Sequence, residues 1–205
     1  MLFFSAVSSE ALELLKEIQD QPFLKDFYLV GGTALALNFG HRVSVDLDFF
    51  TEKEFDTNLL VESVKENFSV KILSQAKNSL TMDVRSVKTD FIRHNYSLLN
   101  PIQEKDGIKI ASVEDIAAMK FNSTMNRGSK KDFYDIVELL IHFSMEDLIA
   151  FHSKKYDFNS QLILLKSLVY FDDAELEPDP VSLRPLSWTS VKQNISDVVS
   201  KFTKI

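Results

Sequence analysis

At 205 residues and 45% hydrophobic content, the chain can bury roughly 70% of the surface its unfolded form exposes, which suits one core with a helical extension and excludes a disordered protein. It has no cysteine, which excludes disulfides and thiolate metal sites and agrees with a reducing, cytoplasmic setting. A formal net charge of −7 excludes a protein that coats nucleic acid through a broad positive surface, while leaving room for a small site that takes one end of an RNA.

The opening, MLFFSAVSSEALELLKEI, lacks a basic leader region, and no stretch has the length of an apolar membrane span, so neither a signal peptide nor a membrane segment is expected. Ser8 or Ser9 caps a first helix whose Ala11, Leu14, Leu15 and Ile18 form an apolar stripe at helical spacing. Residues 27–30 form an apolar strand that stops at Gly31-Gly32, where a backbone without Cβ turns sharply and brings N–H groups toward an anion. Thr33 opens a helix of barely two turns, closed by Gly40. After His41-Arg42-Val43-Ser44, residues 45–50 read as a strand with Asp46 and Asp48 on one face and Val45, Leu47 and Phe49 on the other. Taken singly, Gly-Gly is a turn and Asp-Leu-Asp a solvated strand end. Taken together they read as a nucleoside triphosphate site, because the two carboxylates repel unless a cation such as magnesium lies between them, and a hydroxyl and a helix N-terminus stand alongside.

Asp56 caps a helix to about residue 67, with Leu60, Val64 and Phe68 inward. The runs 69–74, 80–86 and 87–95 are short, alternating and separated by turns, hence strands that continue the sheet. In the last run Asp90 shares a face with Lys88 and Ile92, and is either a third acid beside the Asp-x-Asp strand or an ordinary strand-end aspartate. His94 reads as a surface or capping histidine. Asn100-Pro101 ends the sheet region, and residues 107–111 form a short strand or extended connector.

Ser112 starts a helix with a capping-box-like entry and an apolar stripe of Val113, Ile116, Ala117, Phe121 and Thr124. Lys120 falls inside that stripe, where it either snorkels or meets an anion. Lys120, Arg127, Lys130 and Lys131 are unopposed by any acid as far as Lys131; the next helix then sets Asp132 and Asp135 at i,i+3 on one side, with Phe133, Ile136, Val137 and Leu140 toward the core. Ser144 caps a helix to about residue 156, and Asn159 begins one with Leu162, Leu165, Leu168 and Val169 inward. Residues 171–180 are an acidic, proline-marked stretch that reads as a solvated linker. Ser187 caps a last helix with Trp188, Val191, Ile195, Val198, Val199 and Phe202 on one stripe, which folds back on the domain or meets a partner.

Gly31-Gly32-Thr33, Arg42, Ser44 and residues 46–50 resemble the first motif of the AbiEii/AbiGii-type nucleotidyltransferases, a family of bacterial toxins from toxin–antitoxin and abortive-infection systems within the DNA polymerase β-like superfamily. Residues 116–120, Arg127 and residues 131–136 resemble the later motifs of the same group, and the likeness runs over about residues 11–140. Thr33 stands where the wider superfamily usually has serine, and the stretch from Thr33 to Asp46 is longer, with Arg42 and Ser44 just before the aspartates as in this branch.

The resemblance implies an α+β fold, with a nucleotidyltransferase core of mixed sheet and flanking helices over residues 1–110 and a helical C-terminal part over residues 111–205 that completes the active site. It implies that Asp46 and Asp48, with Asp90 as third acid, bind Mg2+ or Mn2+. Gly31, Gly32 and Thr33 would cradle the triphosphate, supported by Arg42 and Ser44, and Lys120 would offset charge in the transition state. Asp132 would be the family's second essential acid, and Arg127 or Lys131 would steer nucleotide or acceptor. The implied reaction moves a nucleoside monophosphate from a nucleoside triphosphate to a hydroxyl, with the 3′ end of transfer RNA as acceptor, pyrophosphate as leaving group and a cognate antitoxin as partner. Nucleotidylation of a protein side chain and a nucleotide-binding module without turnover are the competing readings.

Overall fold

One register on two neighbouring strands separates core from cavity. In the computed structural model, which describes residues 1–157 and 160–203, β2 (Leu47–Thr51) lies parallel to β5 (Val87–Arg93), with Phe49 opposite Phe91 and Asp48 opposite Asp90. Side chains alternate along a strand, so the two fully buried phenylalanines stack on the core side, ring centroids 5.4 Å apart, and the two aspartates share the other face. The hairpin of β3 (Val70–Ala76) and β4 (Ser79–Val84) extends the sheet beyond β5. On the other side β1 (Tyr28–Val30) runs antiparallel to β2 and parallel to β7 (Ile108–Ile110), which pairs with β6 (Gln103–Lys105). Among the described residues this is one mixed seven-stranded sheet, ordered β3-β4-β5-β2-β1-β7-β6.

Three helices interleave with the strands: α1 (Ser9–Gln19), α2 (Gly31–Phe39) and α3 (Thr57–Asn67). After β7 come α4 (Val113–Asn126), α5 (Lys130–His142), α6 (Met145–Tyr156), α7 (Gln161–Leu168) and α8 (Trp188–Phe202). Side chains of Ser8, Asp56, Ser112, Ser144 and Ser187 each accept a first-turn backbone N–H, which stabilises each helix start by about 1 kcal/mol. Helix α4 packs against α2, α5, α6 and α7 and joins the helical half to the strands. Helix α8 folds back onto α5, burying Trp188 against Phe133, Tyr134 and Phe171. Among the described residues no helix is long and apolar enough to cross a membrane.

Several elements differ from their sequence reading. Helix α2 begins at Gly31 and not at Thr33, because Gly31 turns the chain with a positive φ of 72° directly after β1. Strand β2 begins only at Leu47, leaving Asp46 in the loop before it and Val45 exposed, apart from the buried Leu47 and Phe49 with which it was expected to share a face. The sheet does not end at Asn100-Pro101, since β6 and β7 return to flank β1. In α7 the inward residues are Leu164, Leu165 and Leu168, with Leu162 and Val169 exposed; the expected start at Asn159 lies outside the described residues. The acidic stretch is no free linker: Lys130 binds it through its backbone N–H to Glu177 and its ammonium to Asp179, while Glu175 accepts from Trp188. His94 is half-buried, stacked on Phe50 and flanked by Tyr96 and Tyr156.

Candidate active site

Where β1 runs into α2, a cavity of about 320 Å³ opens between the sheet and α4. Its walls include Gly31, Gly32, Arg42, Ser44, Asp46, Asp48, Asp90, Lys120, Arg127 and Lys131, so ten expected residues from separate parts of the chain meet at one place. Thr33 and Asp132 are not on its wall. The Thr33 hydroxyl is hydrogen-bonded to the Ser44 hydroxyl at 2.8 Å and to the Asp46 carbonyl, so it ties the start of α2 to the loop before β2. Asp132 is fully buried behind the wall.

The glycines make close approach physically available. A Cβ on Gly31 would collide with the Asp48 carboxylate, and one on Gly32 with the Arg42 guanidinium. The loop carrying Arg42 and Ser44 is held from both sides: Ser44 donates its N–H to Ala6, Val43 donates to Val181, and Leu183 donates to His41.

Beneath the loop lies a dense ion network. Asp135, with no exposed surface, accepts from His41 Nε2 at 2.7 Å and from Arg42 Nε and Nη2 at 2.7 and 2.9 Å, and pairs with Lys120 Nζ at 2.6 Å. Burial alone would raise its proton affinity, but the Arg42 and Lys120 charges and the hydrogen bonds from His41 and Arg42 outweigh burial and hold the carboxyl well below the usual carboxylate range. Lys120 also reaches Asp132 at 2.7 Å, and Asp132 accepts from Ser129 and Arg127. The lysine in the apolar stripe therefore has its anion within the protein, its ammonium raised in pKa by Asp132 and Asp135 against the effect of burial.

The acids facing the cavity behave differently. Asp46 pairs with Lys131 at 3.1 Å and Asp90 with Lys88 at 2.5 Å, while Asp90 Oδ1 is buried without a hydrogen-bond partner among the described residues. Among those residues no donor reaches the Asp48 side chain, and burial together with the neighbouring Asp90 charge raises its pKa. As the side chains stand, no group of three acidic or histidine residues among the described ones is drawn together around a metal-sized point. Two of the three acids are instead paired with lysines, Asp46 with Lys131 and Asp90 with Lys88. The donor set nonetheless suits a hard divalent cation: carboxylate oxygens, one orphaned and one short of countercharge, on adjacent strands. Sequence reasoning gave no role to Lys88 or His41 and left Asp135 open as a structural residue. The available signals were the i,i+2 spacing of Lys88 from Asp90 and the i,i+3 spacing of Asp135 from Asp132.

A second cavity, of about 580 Å³, adjoins the first through Arg42, Ser44, Asp46, Arg127 and Lys131, and is closed on its far side by residues 177–181.

The cavity thus joins adjacent carboxylates of a mixed sheet, a glycine turn above them and facing cations. The family model described as "Nucleotidyl transferase AbiEii toxin, Type IV TA system" matches residues 13–202, and the chain belongs to that family. It is 40% identical over 177 residues to an uncharacterized protein of Aquifex aeolicus (strain VF5), covering 83% of this chain and 86% of that one. Among solved structures it resembles a Helicobacter pylori protein provisionally described as a nucleotidyltransferase (TM-score 0.61, 21% identity, 96% of each chain covered). It also resembles MenT4, a nucleotidyltransferase toxin of Mycobacterium tuberculosis H37Rv (TM-score 0.57, 16% identity, 97% of this chain and 86% of that one). These two likenesses concern the fold.

Proposed function

We propose that this nucleotidyltransferase transfers a nucleoside monophosphate from a nucleoside triphosphate to a hydroxyl in a magnesium-dependent reaction, as the toxin of a toxin–antitoxin pair working in the cytoplasm. The observation that carries the reading is the in-register pairing of Asp48 with Asp90 on parallel strands directly below Gly31 and Gly32. Asp46, Asp48 and Asp90 would hold Mg2+ or Mn2+, which would neutralise phosphate charge and orient the triphosphate. Backbone N–H groups at the start of α2 face the phosphates, and Arg42 and Lys120, fixed by Asp135, supply positive charge as the transition state forms. Thr33 supports this cradle through Ser44, and Asp132 through Lys120.

The acceptor oxygen attacks the α-phosphorus, the bond to the bridging oxygen breaks, and pyrophosphate leaves. The hydroxyl proton passes to the Asp90 carboxylate. Arg127 and Lys131, shared by both cavities, guide the acceptor from the second cavity into the first. We take the 3′ end of transfer RNA as the acceptor, and the description of the family as a toxin of a TA system supports a cognate antitoxin as partner.

Incubating the purified chain with Mg2+, each α-labelled nucleoside triphosphate, purified transfer RNA and protein lysate reads the acceptor directly. Label is expected on transfer RNA and absent with the Asp46→Ala/Asp48→Ala double variant. Label on protein alone would replace the acceptor, and turnover retained by the double variant would remove the mechanism.

A further inference from the structure

Lys88 lines the cavity between sheet and α4 and has no part in the transfer chemistry set out above. Directly across the β4–β5 ladder stands Asp83, the obvious partner for an exposed lysine on a strand. Asp83 instead accepts the Ser86 N–H in the turn, and Lys88 leans along its own strand to Asp90, Nζ to Oδ2 at 2.5 Å, with half of its side chain still exposed. Lys131 does the same for Asp46 from the other side. The outer two acids are thus each matched by an ammonium, and Asp48 between them by none. An ammonium on a flexible four-carbon stem is a compact charge that can give up a carboxylate to a metal ion and follow an arriving anion.

We propose that Lys88 is a triphosphate-binding residue whose ammonium holds Asp90 until a divalent cation and its nucleoside triphosphate enter, then yields the carboxylate to the cation and binds phosphate oxygens. In the exchange the cation takes the carboxylate from the ammonium, and the displaced ammonium meets the anion that came with the cation. No covalent bond changes. The proposal rests on the metal-triphosphate reading of the cavity and adds to it a residue with two successive partners.

The test uses the full chain and two binding measurements that need no turnover. Mn2+ alone is titrated by electron paramagnetic resonance, and a non-hydrolysable nucleoside triphosphate is titrated by calorimetry with Mn2+ present, for the unaltered protein, Lys88→Met and Lys88→Arg. Lys88→Met is expected to bind Mn2+ alone about tenfold more tightly, because its competitor is gone, and the triphosphate about tenfold more weakly, because one charge-assisted hydrogen bond is lost. Lys88→Arg restores the triphosphate affinity. Because the side chain is half exposed, circular dichroism should show all three folded alike. If Lys88→Met changed neither affinity while the unaltered protein bound both ligands, the role of Lys88 would be overturned and the cavity reading would stand. If the unaltered protein bound neither Mn2+ nor triphosphate, the cavity reading itself would fall, and the proposal with it.

Discussion

The Asp48 carboxylate stands on a half-buried strand face with Asp90 one ladder step away and no donor of its own, so both burial and a like charge disfavour its ionised form. A group whose folded pKa is raised destabilises the fold at neutral pH. Asp48→Asn should therefore abolish transfer and raise the thermal midpoint by about 2–4 °C, the size of a 1 kcal/mol gain in a chain of this length; calorimetry showing a lower midpoint would mean that Asp48 has a structural partner. Asp135 is the opposite case. It is fully buried and surrounded by Arg42, Lys120 and His41, so Asp135→Asn keeps the volume but leaves two buried cations short of a counter-charge. A loss of about 3–5 kcal/mol in urea denaturation is expected, and a loss under about 1 kcal/mol would contradict the network. The sequence held this residue only as an unassigned member of an i,i+3 pair, because its contact with Arg42 spans 93 positions and has no local signature. The paired aspartates of β2 were legible because strand period alone puts alternate side chains on one face, although Asp46 falls just before the strand.

Helices α4 and α5 each carry a buried lysine, but in different roles. Lys120 is buried at the cavity wall between Asp132 and Asp135, whereas Lys130, also buried, binds the acidic segment through Asp179 and the Glu175 carbonyl. Pyrophosphate release should fall far more for Lys120→Ala than for Lys130→Ala, and equal losses would show that position on the cavity wall does not matter. The segment leaving β5 sets a pH limit. Burial and the nearby Lys155 charge push His94 down to about 4, so the folded protein keeps it neutral while the unfolded chain protonates it below its ordinary value of about 6.5. The stability that His94 contributes is then intact above about pH 6.5 and lost as pH falls toward 4, and buried His152, also pushed down to about 4, adds a like share; His94→Phe should reduce that decline in midpoint, and an unchanged profile would show that His94 does not contribute to it. Helix starts were legible because capping is local, with Ser8, Asp56, Ser112, Ser144 and Ser187 each found at the expected N-cap. Strand β6 was not, and β7 only as a short strand or extended connector, because three residues carry too little alternation to mark a strand, and the pairing of β7 with β1 is a long-range fact.

At the scale of the molecule, two segments far apart in the chain converge on the loop that carries Arg42 and Ser44. Residues near Ala6 and Ser8 pair with it on one side and residues near Val181 and Leu183 on the other, and the loop cannot shift without loosening both. This explains why residues 171–180, acidic and proline-marked, looked like a solvated linker: their role depends on Lys130 and Trp188, which come near only in the folded chain. The family motifs brought the α+β class into view early, because glycine turn, aspartates and the later lysine keep their order in sequence even though they meet only in space. What the motifs could not supply was the present pairing of the acids, in which Lys88 meets Asp90 and Lys131 meets Asp46. The central claim is that these acids close on a divalent ion below the glycine turn. A crystal soaked with Mg2+ and a non-hydrolysable nucleoside triphosphate tests it most directly: the account predicts a metal ion at about 2.0–2.1 Å from carboxylate oxygens of Asp48 and Asp90, with the phosphates over Gly31 and Gly32, and a triphosphate bound elsewhere, or a metal ion that touches neither aspartate, would contradict it.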